Sequence, residues 1–120
     1  MLCLDTYALV EIWKANPKFS EIMNQQFVIT DPTMAEFYIF LYTNENESLA
    51  IEWHNKLSVY CRSVNRDTLI QALKYRIKNK KENLSIFDCI GYTYALENSM
   101  MFVTGDKFFD NKEGVMFIQK

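Results

Sequence analysis

Four carboxylates occupy positions from which they could act together. Asp5 follows a short apolar stretch, Glu36 lies within an apolar run, Asp88 closes Ser85-Ile86-Phe87-Asp88, and Asp106 ends Thr104-Gly105-Asp106. Three of them have ordinary structural explanations when taken singly. Asp5 can cap a following helix, Asp88 can complete a capping box opened by Ser85, and Asp106 can shape a turn. Glu36 resists such a reading, because Ala35, Phe37, Tyr38, Phe40 and Leu41 surround it in the sequence. A carboxylate buried there without a partner is costly. Carboxylates gathered at one site repel one another unless they are protonated or neutralised. Oxygen donors without His or Cys suit the hard cations Mg²⁺ and Mn²⁺. Such a cation polarises a phosphodiester and lowers the pKa of bound water, which points to metal-assisted hydrolysis of nucleic acid with the number of cations left open.

Other chemistries have less to work with. His54 is the sole histidine and sits in a helical pattern with no evident partner, so a Ser-His-Asp or Cys-His mechanism lacks its orienting group. None of the three glycines falls in a spacing that cradles phosphates. Cys3, Cys61 and Cys89 are odd in number, far apart and without a C-x-x-C pair, as expected of reduced core thiols. A net charge of -2 supplies no general attraction to nucleic acid. The basic residues Lys74, Arg76, Lys78, Lys80 and Lys81 are concentrated in one stretch instead, which reads as a solvated helix face or as a local contact for phosphates.

The elements that must position these groups follow from periodicity. At 120 residues, 49% of them hydrophobic, the chain is expected to form one domain over residues 1–120 with a dense core. No apolar run is long enough to cross a bilayer, and Asp5 interrupts the apolar N-terminus, so a cytoplasmic location is expected. Leu2 to Leu4 reads as a strand, followed by a helix carrying Ala8, Leu9, Ile12 and Trp13. Pro17 opens a short helix, and Phe27 to Ile29 reads as a second strand. A helix over about Pro32 to Tyr42, with Asp31 as its N-cap, is apolar around most of its circumference and is expected to be largely buried. Further helices are marked by Leu49, Ala50, Trp53 and Leu57, by Leu69 to Ile77, and by the segment opening at Ser85. Strands are expected at Ser58 to Cys61, Met100 to Val103 and Val115 to Ile118. Strands separated by helices imply an α/β fold of three layers around a mainly parallel sheet. Ligands of such sheets bind beyond the carboxyl ends of strands, where Asp5 and Asp106 are placed.

The order and setting of the acids resemble the PIN-domain family, and particularly the VapC-like toxins of toxin–antitoxin pairs. The resemblance covers nearly the whole chain. It rests on Leu4-Asp5-Thr6, on Thr33 to Glu36, on Ser85 to Asp88 and on Thr104-Gly105-Asp106 through Phe109. It implies a ribonuclease in which Asp5, Asp88 and Asp106 coordinate Mg²⁺ or Mn²⁺, with Glu36 as a further ligand or a group orienting water. Thr6 and Thr104 match positions whose hydroxyls support that shell, and Asp110 resembles an additional acidic position of some members. The family also implies an RNA substrate, a VapB-like antitoxin and a homodimer, with no membrane partner. The interval from Glu36 to Asp88 is short for the family, in the region used for dimerisation or antitoxin binding.

Two other functions stay open. A non-catalytic PIN-like module would use the same fold to bind RNA or protein. A phosphoacceptor receiver domain would share the length and architecture, but Asp5 stands singly after the first strand and Cys61-Arg62-Ser63 occupies the place of the acceptor.

Overall fold

The computed structural model describes residues 1–120. Five strands, β1 (Leu2–Leu4), β2 (Phe27–Thr30), β3 (Cys61–Arg62), β4 (Met101–Thr104) and β5 (Val115–Phe117), form one sheet in the order β3-β2-β1-β4-β5. Every pairing is parallel. The helices α1 (Thr6–Trp13), α2 (Asp31–Asn44), α3 (Glu47–Leu57), α4 (Arg66–Lys78) and α5 (Ile86–Glu97) lie between the strands in sequence. No helix is long and apolar enough to cross a membrane.

Strand alternation divides the core in two. Cys3 is in register with Val28 on one side and Phe102 on the other, and these three pack with Ala72 of α4 and with Cys89 and Ala95 of α5. Their neighbours Leu2, Leu4, Ile29 and Val103 point to the opposite face, where they meet α1, α2 and α3 through Leu9, Phe37, Leu41 and Leu57. Residues one apart in a strand face opposite ways, so three central strands build both cores at once. This is the expected three-layer α/β/α arrangement.

Three local features differ from expectation. Thr30, not Asp31, caps α2, its hydroxyl accepting from the Thr33 N–H at 3.4 Å. Asp31 is thereby the first helical residue, and Pro32 falls where a missing N–H costs nothing. Secondly, α2 is not largely buried: Phe37 and Leu41 are fully enclosed, but Ile39 and Tyr42 are 56% and 49% exposed. The sheet and the neighbouring helices cover only one stripe of its apolar circumference. Thirdly, Ser58 to Tyr60 is a 3-10 turn and only Cys61–Arg62 is strand. The chain tightens as it leaves α3 before it becomes extended, a common ending for a helix. The segment opened by Pro17 is likewise a 3-10 helix, Pro17–Asn24, which places Phe19 and Ile22 on one buried face.

Candidate metal centre

Chain order reverses at β1. From there the chain builds outward through β2 and β3, then crosses to the other side of β1 for β4 and β5. The carboxyl ends of β1 and β4 therefore flank a switch point, the position at which parallel sheets open a crevice. Asp5 follows β1 directly, and Asp106 stands two residues beyond β4. Glu36 projects from α2 and Asp88 from the first turn of α5. These four carboxylates line one cavity of about 340 Å³ together with Thr6, Tyr7, Ser85 and Gly105.

Each acid is held by local structure. Asp5 is 2% exposed. Its Oδ1 caps α1 by accepting from the Ala8 N–H at 2.7 Å, and its backbone N–H donates to the Val103 carbonyl at 3.1 Å. The hydroxyl of buried Thr104 also donates to Asp5. The same hydroxyl oxygen accepts from the Asp106 N–H at 3.1 Å, so one threonine ties two of the acids together. Asp106 caps the turn after it, its Oδ1 accepting from the Phe108 N–H at 3.0 Å. Ser85 caps α5 by accepting from the Phe87 N–H at 3.1 Å. Glu36 accepts a hydrogen bond from the Thr6 hydroxyl, which joins α1 to α2 at the cavity wall. Glu36 itself is only half-buried, and Asp5 is the deeply enclosed member of the set.

The electrostatics are those of unopposed negative charge. Burial pushes the Asp5 carboxyl up to about 8; Asp88 and, more weakly, Asp106 reinforce the shift, while hydrogen bonds from Thr104 and Ala8 oppose it. Burial likewise raises Asp88 to about 7, with Glu36 and Asp106 adding to it. No Lys or Arg offsets either group, and the one salt bridge of the protein, Lys14 to Glu11 at 4.0 Å, lies outside the cavity. No three of the acids already converge as a finished ligand set. Mutual repulsion favours that spacing, and a divalent cation would oppose it. The donors suit a hard cation: carboxylates and the Thr6 hydroxyl, with no His or Cys in the wall. Cys3 and Cys89 lie nearby, but burial and the neighbouring acids push their thiols up to about 12 and about 11, which keeps them protonated.

Among the remaining candidates, Thr6 and Thr104 both contact the acids, whereas Asp110 is exposed and outside the cavity wall. His54 is exposed on α3 with its ring edge-on to Tyr38 at 6.1 Å, away from the acids. All three cysteines are free. One residue of the wall carries no motif or spacing signal in the sequence, Tyr7, and it meets Gly105 of the Thr104-Gly105-Asp106 turn. The Tyr7 ring packs on the Gly105 backbone so closely that a Cβ there would stand 2.2 Å from Tyr7 Cε1. Buried Glu11 carries no signal in the sequence; Asn16 Nδ2 donates to it at 2.9 Å, and it takes no part in the cavity.

A family model described as PIN domain matches residues 2–115. No curated protein matches the chain by sequence. Several solved structures share its fold. A sarcin-ricin loop cleaving VapC toxin of Mycobacterium tuberculosis is similar with a TM-score of 0.80 and 13% identity, covering 100% of both chains. A toxin–antitoxin complex from Klebsiella pneumoniae gives 0.77 and 17%, covering 97% of this chain and 96% of that one. The VapBC-1 structure from nontypeable Haemophilus influenzae gives 0.73 and 19%, covering 98% and 96%.

Proposed function

Because the chain belongs to the PIN-domain family, we propose that residues 1–120 form a single nuclease domain, a Mg²⁺- or Mn²⁺-dependent ribonuclease acting as a VapC-like toxin. The observation that carries this reading is the meeting of Asp5, Glu36, Asp88 and Asp106 in one cavity with no positive side chain to offset them. Groups that repel one another at that cost are accounted for by a bound cation.

In this reading Asp5, Asp88 and Asp106 hold the cation, and Glu36 is a further ligand or orients water. A bound Mg²⁺ or Mn²⁺ supplies Lewis-acid polarisation of the phosphodiester and a water acidic enough to become a nucleophile near neutral pH. The protein's own groups prepare the place. Asp5 is fixed by the Ala8 N–H and the Thr104 hydroxyl, which leaves its remaining lone pairs for the cation. Thr104 fixes the start of the turn that presents Asp106. Thr6 holds Glu36 in one orientation at the wall. Burial on the sheet side restricts bulk water and strengthens every electrostatic contact inside.

The partners in this proposal are an RNA substrate, a VapB-like antitoxin and a second copy of the chain. Support comes from the similar folds of the Klebsiella pneumoniae toxin–antitoxin complex and the Haemophilus influenzae VapBC-1 assembly. Exposed apolar side chains such as Ile39, Ile51 and Val59 supply surface for protein partners to cover. The proposed location is the cytoplasm.

The test is cleavage of RNA by the purified protein with Mg²⁺ or Mn²⁺ and its loss on chelation. Asp5→Asn and Asp88→Asn are expected to abolish cleavage while preserving the fold. Persistence of cleavage in both variants would contradict the assignment. RNA binding without any metal-dependent cleavage would favour the non-catalytic module.

A further inference from the structure

We propose that the pocket formed by Arg76, Lys80 and Asn83 at the end of α4 is an RNA subsite that holds a backbone phosphate flanking the scissile bond. It rests on the ribonuclease reading and adds a place for the substrate outside the acid cavity. The pocket, of about 190 Å³, is lined by Leu73, Arg76, Ile77, Lys80, Asn83 and Leu84. It adjoins the acids through a single peptide bond: Leu84 belongs to this pocket, and Ser85 belongs to the wall of the acid cavity. Arg76 Nε donates to the Leu84 carbonyl at 2.9 Å, which pins the guanidinium to that shared wall.

An RNA substrate must overcome a cavity of four acids in a chain of net charge -2, so its attraction has to come from local cations. Five of the 13 Lys and Arg fall between Lys74 and Lys81, and none of the five forms a salt bridge. Of these, Arg76 and Lys80 line the pocket next to the acids. With Nε committed to a carbonyl, Arg76 keeps its terminal nitrogens for a phosphate, and Lys80 adds a flexible ammonium. Leu73 and Ile77, 48% and 69% exposed, offer apolar surface beside the charges to the sugar or base of the same nucleotide.

The experiment measures binding of a fluorescein-labelled single-stranded RNA to the Asp88→Asn variant by anisotropy, in EDTA, across a salt series. Adding Lys80→Gln is expected to weaken binding several-fold at low salt. It should reduce the magnitude of the log K against log salt slope by about 0.7, the value for one single-strand phosphate contact. Arg76→Gln should do the same. Arg76→Lys, which keeps the charge, separates loss of charge from disturbance of the Leu84 contact and should retain most of the slope. Lys56→Gln, on α3 over the Trp53 ring, is expected to leave the slope unchanged. RNA binding with an unaltered slope and affinity in Lys80→Gln and Arg76→Gln would overturn the subsite while leaving the ribonuclease reading standing. Absence of RNA binding by Asp88→Asn itself would contradict both.

Discussion

Asp5 combines two tasks that ordinarily conflict. It caps α1, which calls for an acceptor, and it is enclosed among other acids, which penalises its charge. Its carboxyl titrates near 8 rather than the usual 3.8, and that of Asp88 near 7. A raised folded-state value means that the folded protein keeps a proton which the unfolded chain has released. The contribution of this proton to metal-free stability is therefore fully present below about pH 4 and is lost as pH rises through about 8. Asp5→Asn retains an acceptor for the Ala8 N–H and removes the charge. The metal-free variant should melt above the parent at pH 8 and show a flatter pH dependence, measured by calorimetry across pH 4 to 8. The same substitution is expected to lower metal affinity, by titration with Mn²⁺, by at least the roughly 10–100-fold that loss of an outer-shell partner costs.

The turn after β4 depends on the start of α1. Tyr7 lies over Gly105, and its hydroxyl accepts from the Lys120 N–H at 3.0 Å. Gly105→Ala forces the ring or the turn to move, an overpacking expected to cost about 1–3 kcal/mol in denaturant titration and to slow cleavage by displacing Asp106. Pairing it with Tyr7→Ala should return much of the cleavage rate relative to Gly105→Ala alone, if the ring is what displaces the turn. This coupling was not legible in the sequence, because Thr6-Tyr7 and Gly105 are distant and neither carries a periodic signal. The acids were legible, since Asp5 and Asp106 follow strands and Asp88 lies in the first turn of a helix at boundaries set by capping and apolar spacing, whereas Glu36 stood out as a carboxylate within the apolar run of α2. The exposed stripe of α2 was not: Ile39 and Tyr42 look like core residues by type, and only the placement of the neighbouring elements decides which apolar face is covered. The 3-10 turn at Ser58 to Tyr60 is hidden in the sequence because Val59 and Tyr60 have strand propensity, whereas the exit from α3 fixes their backbone.

At the scale of the whole molecule, charge is segregated. Negative groups converge at the switch point of the sheet, and positive groups collect along α4 and the turn that follows it. A net charge of -2 conceals both regions, so composition alone counts against a nucleic-acid partner. Because the two central carboxylates are charged only toward pH 8, Mn²⁺ should raise the melting temperature more at pH 8 than at pH 5. At a cation concentration 100 times the Kd the stabilisation expected is about 2.7 kcal/mol. Equal stabilisation at both pH values would place the binding elsewhere. The most direct examination is anomalous diffraction from crystals soaked in Mn²⁺. A peak bound by Asp5, Asp88 and Asp106, at the roughly 2.0–2.3 Å typical of hard cations on oxygen, is expected. A cavity without a peak at saturating Mn²⁺, its carboxylates as far apart as before, would contradict the metal centre on which the ribonuclease assignment stands.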